Sequence, residues 1–499
     1  MELPNEYAAR LERLQKLKEQ GIDPYPANVE RSHTIAEFLA QFSAKGGSAS
    51  GGDTSFAKTV FHLVGRVRSL RPHGGSAFAH IEDGTGRAQL FFQKNTMGDS
   101  AYEQLLDTLD VGDFIAASGA PYTTKRGEKS LQVSHAHIIC KTLLPLPEKW
   151  HGLSDVEIRY RKRYLDLNMN EHVRAMFLLR SKLITKLRAF MDARGYLEVQ
   201  TPILQPIYGG GFAKPFKTHH NALDMDMYLR IANEMYLKRL VVGGFPRVYE
   251  VCTDFRNEGI DYKHNPEFTT MEAMTAYENY FYGMEIIEEL TEFLAKETLG
   301  TTKVEYEGKK IDVKRPWKRL TMAEAIKSAL KIDVEKLKAP ALAQECKKQK
   351  IDDTKIKPAK SWGELVVLLF EEKVEATLIQ PTFIYNFPTE ITPLAKKCPN
   401  DPRFTESFEQ YINGWEIGNN YTEINDPIDL RKRFIEEKDR AKAGFEEAHQ
   451  TDEDYLEAIM HGMPPTVGIA TSIDRLVMLF TGAHTIREVI LFPILRPEK

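Results

Sequence analysis

Five short segments between Phe61 and Ser134 alternate apolar and polar residues, and glycine turns separate them. They are Phe61 to Leu70, Ala77 to Ile81, Ala88 to Phe92, Val111 to Ala116 and Ser130 to Ser134, with breaks at His73-Gly74-Gly75 and Asp83-Gly84. A period of two sends successive side chains to opposite faces of a sheet, so each segment is expected to bury one face. Strands this short and this regularly punctuated predict a small barrel or sandwich. A five-stranded OB barrel would bind single-stranded nucleic acid by aromatic stacking and edge hydrogen bonds. The pattern alone leaves any other small β domain equally open.

The flanking sequence changes character. Leu11, Leu14 and Leu17 fall at helical spacing between Asn5 and Gln20, and Gly21 ends that helix. Lys45 to Asp53 is a low-complexity Gly/Ser loop, and Leu143 to Pro147 reads as a stiff linker. Beyond it, helices and strands mix. A long helix is expected over His172 to Arg194, stopped by Gly195 and followed by a strand over Tyr196 to Pro202. A mostly helical insertion is expected around Lys355 to Glu375. The expected divisions are a helix and linker over 1–58, a barrel over 59–147 and a second domain over 148–499. A length of 499 residues supports this number of domains.

The net charge of −4 excludes a uniformly basic nucleic-acid binder, so any such contact must come from local patches. Cys140, Cys252, Cys346 and Cys398 are far apart and form no C-x-x-C pair, which fits a reducing cytoplasm. No apolar run approaches the ~20 residues of a membrane span, and no signal peptide is expected.

The richest chemistry lies between Phe255 and Glu272. Arg256 offers a planar fork for a phosphate or carboxylate. On a strand, Glu258 would point the same way. Phe268 has the shape to stack on a base, and Glu272 the charge to take an ammonium. A site holding a phosphate, a carboxylate and an amine together suggests amino-acid activation. The plain alternative is a solvated, charged hairpin.

Phe255-Arg-Asn-Glu-Gly259 and His264-Asn-Pro-Glu-Phe268 resemble motif 2 of class II aminoacyl-tRNA synthetases. Arg159-Tyr-Arg-Lys-Arg-Tyr-Leu-Asp-Leu167, Gln380-Pro-Thr-Phe-Ile384, Trp415-Glu-Ile-Gly-Asn419 and His484 to Pro493 are similar, in order, to the bacterial-type lysyl-tRNA synthetase family. The resemblance implies an α+β fold: an OB barrel, then an antiparallel-sheet catalytic domain with a helical insertion. It implies ATP-dependent formation of lysyl-adenylate and transfer to tRNA(Lys), with Mg2+ and a homodimer joined through the Ser181 to Pro202 region. The alternatives are a paralogue with another amino acid or a non-tRNA acceptor, or an inactive RNA-binding regulator.

Residue by residue, the resemblance assigns Arg256 and Arg475 to catalysis. ATP would meet Arg256, Glu258, His264, Asn265, Phe268, Glu416 and Arg475. Lysine would meet Gly210, Glu234, Arg256, Glu272, Met274, Asn419, Tyr421 and Glu423. Glu416 and Glu423, seven apart and expected to flank a turn at Gly418 to Asn420, would hold the metal. Arg71, Phe78, Gln89 and Glu128 would read the anticodon. The chain departs from the family pattern at Met274, at Asn420, and at Ala470 and Ser472, where family members carry tyrosine and glycines.

Overall fold

The computed structural model describes residues 5–44, 56–147, 153–211, 213–359, 361–442 and 452–497, and the low-complexity Lys45 to Asp53 stretch lies outside them. The chain divides into two compact units, Met1–Ser154 and Asp155–Lys499.

In the first unit β1 (Phe61–His73), β2 (Ser76–Glu82), β3 (Arg87–Gln93), β4 (Phe114–Thr123) and β5 (Lys129–Cys140) close into a barrel in the order β1-β2-β3-β5-β4. The expected OB barrel is present. Alternation fills its interior with Leu63, Ala79, Ile81, Leu90, Phe92 and Leu131. The strand expected from Val111 starts later, because Gly112 turns the chain at φ +106. Helix Asn5–Glu19 buries Leu14 and Leu17, while Leu11 faces solvent. The buried Arg10 guanidinium donates to the Val111 carbonyl (3.1 Å) and to Thr142 Oγ1 (2.9 Å), fixing this helix to the barrel. A bulge at Arg68 shifts β1 by one residue and brings Ser69 opposite His80.

The second unit is built on an eight-stranded sheet. Its strands are β6 (Leu197–Glu198), β7 (Arg247–Phe255), β8 (Glu267–Ala276), β9 (Lys318–Thr321), β10 (Thr382–Tyr385), β11 (Ser407–Ile412), β12 (Trp415–Thr422) and β13 (Thr466–Ser472). Their order is β9-β10-β11-β12-β13-β8-β7-β6. The central pairs are antiparallel, and only the edge pairs β6–β7 and β9–β10 are parallel. One face is packed by helices Glu171–Asp192, Tyr280–Leu299 and Ile473–Thr481, whose Leu187, Phe190, Ile287, Leu290 and Leu476 share a core with Phe408 and Ile469 of the sheet. Of the strand expected over Tyr196 to Pro202, only Leu197–Glu198 pairs.

Parallel strands need a long crossover. Between β9 and β10 that crossover is the helical insertion, comprising Met322–Leu330, Ala339–Lys348, Asp353–Ile356 and Trp362–Lys373. It carries a core of its own around Ile326, Leu342, Leu365 and Phe370. Capping boxes at Thr321/Glu324 and Ser361/Glu364 define where two of its helices begin. Among the described residues no helix is long and apolar enough to cross a membrane.

Candidate functional site

The sheet face opposite those helices opens into a cleft of about 600 Å³, lined by β7, β8, β12, β13 and the start of helix Glu234–Val242. At one end Arg256 leaves β7. It is the first residue of the hairpin loop rather than a strand residue, and its N–H donates to the Pro266 carbonyl (2.8 Å). Its guanidinium lies 5.1 Å from the centre of the Phe268 ring. Glu258 lies further along this loop and is exposed. His264 is tied to Asp261 (Nδ1 to Oδ2, 2.7 Å), and the buried Asn265 donates to the Glu267 carbonyl (2.6 Å).

The other end gathers carboxylates. Glu234 opens its helix and accepts from the Tyr421 hydroxyl (2.5 Å). Gly210 lies against it in a left-handed conformation, φ +87, where a Cβ would stand 2.6 Å from Glu234 Cγ. One helical turn past Glu234, the fully buried Lys238 reaches Glu423 (2.7 Å) and Glu234 (3.5 Å). Burial opposes its charge, but Glu234 and Glu423 outweigh this and raise its pKa well above the ordinary lysine value. Glu272 makes no comparable ion pair among the described residues, though the Arg256 and Lys238 charges favour its ionised form. Burial first, then the charges of Asp254 and Glu234, push its carboxyl well above the usual range. Asp254, bonded to Arg230 (3.3 Å) and Thr270 (3.0 Å), is raised to about 6, chiefly by burial. Met274 is buried beside them. A Cβ on Gly468 would lie 2.3 Å from Glu423 Oε1 and 3.2 Å from Met274 Sδ, so the methionine flanks the Glu423 carboxylate.

One expectation needs correction. Gly418 to Asn420 is not a turn but the middle of β12. Gly418 serves close approach there: a Cβ would fall 2.2 Å from the Ala470 carbonyl oxygen of β13. Asn420 is buried and clamps the same neighbour, its Oδ1 accepting from the Ala470 N–H (2.6 Å). Glu423 is engaged by Lys238. Glu416 acts electrostatically on Glu409 of β11. Burial and then the Glu416 charge raise the Glu409 carboxyl well above its usual range, and Glu371 and Glu375 of the insertion add to this. Arg475 donates to the Glu416 backbone carbonyl and lies 3.5 Å from its carboxylate. Asn419 donates to Glu409 (3.0 Å). Among the described residues no group of three or more His, Cys, Asp or Glu side chains is arranged to hold a metal ion.

A bulge explains how β12 serves both ends. An odd spacing on a flat strand puts two side chains on opposite faces. One extra residue between Glu416 and Gly418 restores the parity, so that Glu416, Asn419, Tyr421 and Glu423 all line the cleft. Ser472 lines the cleft and also caps helix Ile473–Thr481, its Oγ accepting from the Arg475 N–H (3.2 Å).

Lys238 and Glu409 were not singled out from the sequence. The signal for Lys238 was its i, i+4 spacing from Glu234. For Glu409 it was Asn413-Gly414, a strong hairpin marker that folds β11 back along β12.

The barrel brings its four candidates onto one outer face. Register aligns Arg71 with Phe78, Phe78 with Phe91, His80 with Gln89, and Gln89 with Ser130. Phe78 stacks on Phe91 (4.7 Å, 10°) and Phe91 on Tyr122 (5.2 Å, 25°). Gln89 donates to Glu128 (2.7 Å) and accepts from Ser130 (2.9 Å).

The family of class II tRNA synthetases for D, K and N matches residues 155–496, and the OB-fold nucleic acid binding domain family matches residues 61–139. The lysine–tRNA ligase of Carboxydothermus hydrogenoformans is 47% identical over 489 residues, covering 98% of this chain and 97% of the relative. That of Pelotomaculum thermopropionicum is 48% identical over 490 residues, covering 98% and 94%. That of Chloroflexus aurantiacus is 47% identical over 497 residues, covering 99% of both.

The buried charge of Glu272 has a measurable cost. Its pKa in the fold lies above the unfolded value, so ionisation disfavours folding at pH above both values and has no effect below the unfolded one. Glu272→Gln is therefore expected to raise the melting temperature at pH 8, with the gain fading as pH falls toward about 4. Calorimetry across that range checks it. An equal gain at every pH would assign the effect to packing.

Proposed function

The chain belongs to the class II tRNA synthetases of the aspartate, lysine and asparagine group, and we propose how its cleft does the work of a lysine–tRNA ligase. The lysine carboxylate attacks the α-phosphorus of ATP and pyrophosphate leaves. A ribose hydroxyl at the tRNA end then attacks the carbonyl of the lysyl-adenylate, and AMP leaves. No side-chain nucleophile is required. The observation that carries the reading is one cleft with arginines at one end and buried carboxylates at the other.

Arg256 would bridge the lysine carboxylate and the α-phosphate, offsetting their repulsion as they come into line. Adenine would stack on Phe268, with Glu258 accepting from its amino group. His264 and Asn265 would lie near the phosphates, and Arg475 would hold the far ones. Glu234, Glu272 and Glu423, with Gly210, Asn419 and Tyr421, would surround the lysine and its two ammonium groups. Lys238 already engages Glu423, so Glu272 is the carboxylate with most charge left to give. A neutral or acidic side chain would leave that charge buried and unmet.

Mg2+ would be held by Glu416 and Glu423, with Glu409 on the adjacent strand adding negative charge near Glu416, since Mg2+ typically takes one or two carboxylates together with substrate phosphates. Bound there, the ion would draw charge from the triphosphate oxygens.

The barrel would read the anticodon. Phe78 would stack on the central uridine, the donors of Arg71 and Gln89 would meet its carbonyls, and Glu128 would contact the first base. The proposed compartment is the cytoplasm. The proposed assembly is a homodimer through the Ser181 to Pro202 region, where Leu197 is exposed beside the exposed Ile203 and Leu204.

Pyrophosphate exchange with each of the twenty amino acids tests the core assignment. Exchange with another amino acid and not with lysine would sink it. Phe78→Ala is expected to weaken tRNA use by ~1–3 kcal/mol and to spare lysine-dependent exchange. Equal losses in both assays would make Phe78 a core residue. Met274→Tyr places a hydroxyl beside Glu423. The expected result is a lysine KM lower by roughly 10- to 150-fold, the worth of one hydrogen bond to a charged group, with the ATP KM unchanged. An unchanged lysine KM would remove Met274 from the lysine pocket. Sedimentation is expected to give a dimer, and an active species at 57.0 kDa would refute this.

A further inference from the structure

His80 occupies the centre of the barrel's outer face and has no part in the assignments above. Its Nδ1 lies 3.0 Å from Ser69 Oγ and its Nε2 lies 2.8 Å from Glu128 Oε1. A carboxylate can only accept, so Nε2 carries the proton, and in the neutral ring Nδ1 accepts from the Ser69 hydroxyl. The other Glu128 oxygen accepts from Gln89, and Ser130 donates to the Gln89 carbonyl. One chain of hydrogen bonds thus runs Ser69–His80–Glu128–Gln89–Ser130. The bulge at Arg68 makes it possible by setting Ser69 opposite His80.

The members differ in exposure. The His80 side chain is 12% exposed, Gln89 is 5% exposed, and the Glu128 side chain is 46% exposed. Glu128 leaves the barrel on the loop between β4 and β5 and, unlike the strand residues, has no sheet neighbour to fix its rotamer. A half-exposed carboxylate on a loop presents a defined acceptor only if something holds it, and in this structure His80 and Gln89 do so. A glutamine tied at both ends has one amide N–H left to offer a base edge, and its direction depends on where Glu128 sits.

We propose that His80 is a positioning residue for anticodon reading: it fixes the Glu128 carboxylate and, through it, the Gln89 amide, so that both meet the bases already oriented. The proposal rests on the barrel's assignment to the anticodon. Preorganisation of this kind lowers the ordering cost of binding and acts on affinity rather than on the chemical step.

The test uses the full-length enzyme and a transcript of lysine-accepting tRNA. His80→Ala is expected to raise the tRNA KM about tenfold, the scale of one hydrogen bond to a charged group, without changing kcat or lysine-dependent pyrophosphate exchange. His80→Gln keeps an N–H at the reach of Nε2 and should restore most of the loss. His80→Asn, whose amide reaches only as far as Nδ1, should behave like alanine. In a Glu128→Ala background the alanine change at His80 should add nothing. A wild-type KM in both His80→Ala and His80→Asn would overturn the proposal, as would a full additive effect in the Glu128→Ala background. Falling exchange in the alanine and glutamine variants alike would mark a merely structural role and overturn it too. If the His80 variants are silent while Phe78→Ala impairs tRNA use, the proposal falls and the anticodon reading stands. If Phe78→Ala is silent as well, both fall.

Discussion

The ammonium of Lys238 is the point around which the cleft is organised. It is fully buried 2.7 Å from Glu423 and 3.5 Å from Glu234, and neither carboxylate is tolerable at that depth without it. Glu234 fixes Gly210, since no side chain fits in the space it fills, and it takes the Tyr421 hydroxyl. Glu423 fixes Gly468 in the same way and draws Met274 alongside. The pocket thus brings its own internal counter-ion. What it holds back is the charge of Glu272, which becomes comfortable when a cation enters.

This arrangement places stability and function in opposition. A partly buried carboxylate whose ionisation the fold disfavours weakens the empty fold, and a cation bound beside it would strengthen the filled one. On the proposed assignment, lysine binding would both recognise the ligand and relieve the protein, a physical reason for the pocket to refuse side chains without an ammonium.

The strands of the barrel could be read directly from alternation and glycine turns, because register and inside–outside placement follow from local pattern alone. The hairpin at Arg256 and the helix stop at Gly195 were legible for the same reason. The neighbourhood of Glu416 was not. Linear spacing does not show that the reversal at Asn413-Gly414 brings Glu409 within its electrostatic reach, or that a lysine on a distant helix engages Glu423. Where Glu258 points hung on whether Arg256 lies on a strand, and the end of β7 depends on where the chain leaves the sheet, which no local propensity encodes. Ala470 and Ser472 both line the cleft, and linear sequence did not show that one also lends its backbone to Asn420 and that the other caps a helix.

The extra residue in β12 has a wider meaning. It separates the strand into two reading frames: on the proposed assignment Glu416 would belong to the phosphate end, while Tyr421 and Glu423 would belong to the amino-acid end. Substitutions in the second frame can reshape which side chain is chosen without turning the first away from the triphosphate. Loss of the single extra residue would do the opposite, keeping every functional side chain in the sequence while sending one group to the wrong side of the sheet. Two halves of the site that must cooperate in each turnover are therefore free to diverge independently over evolutionary time.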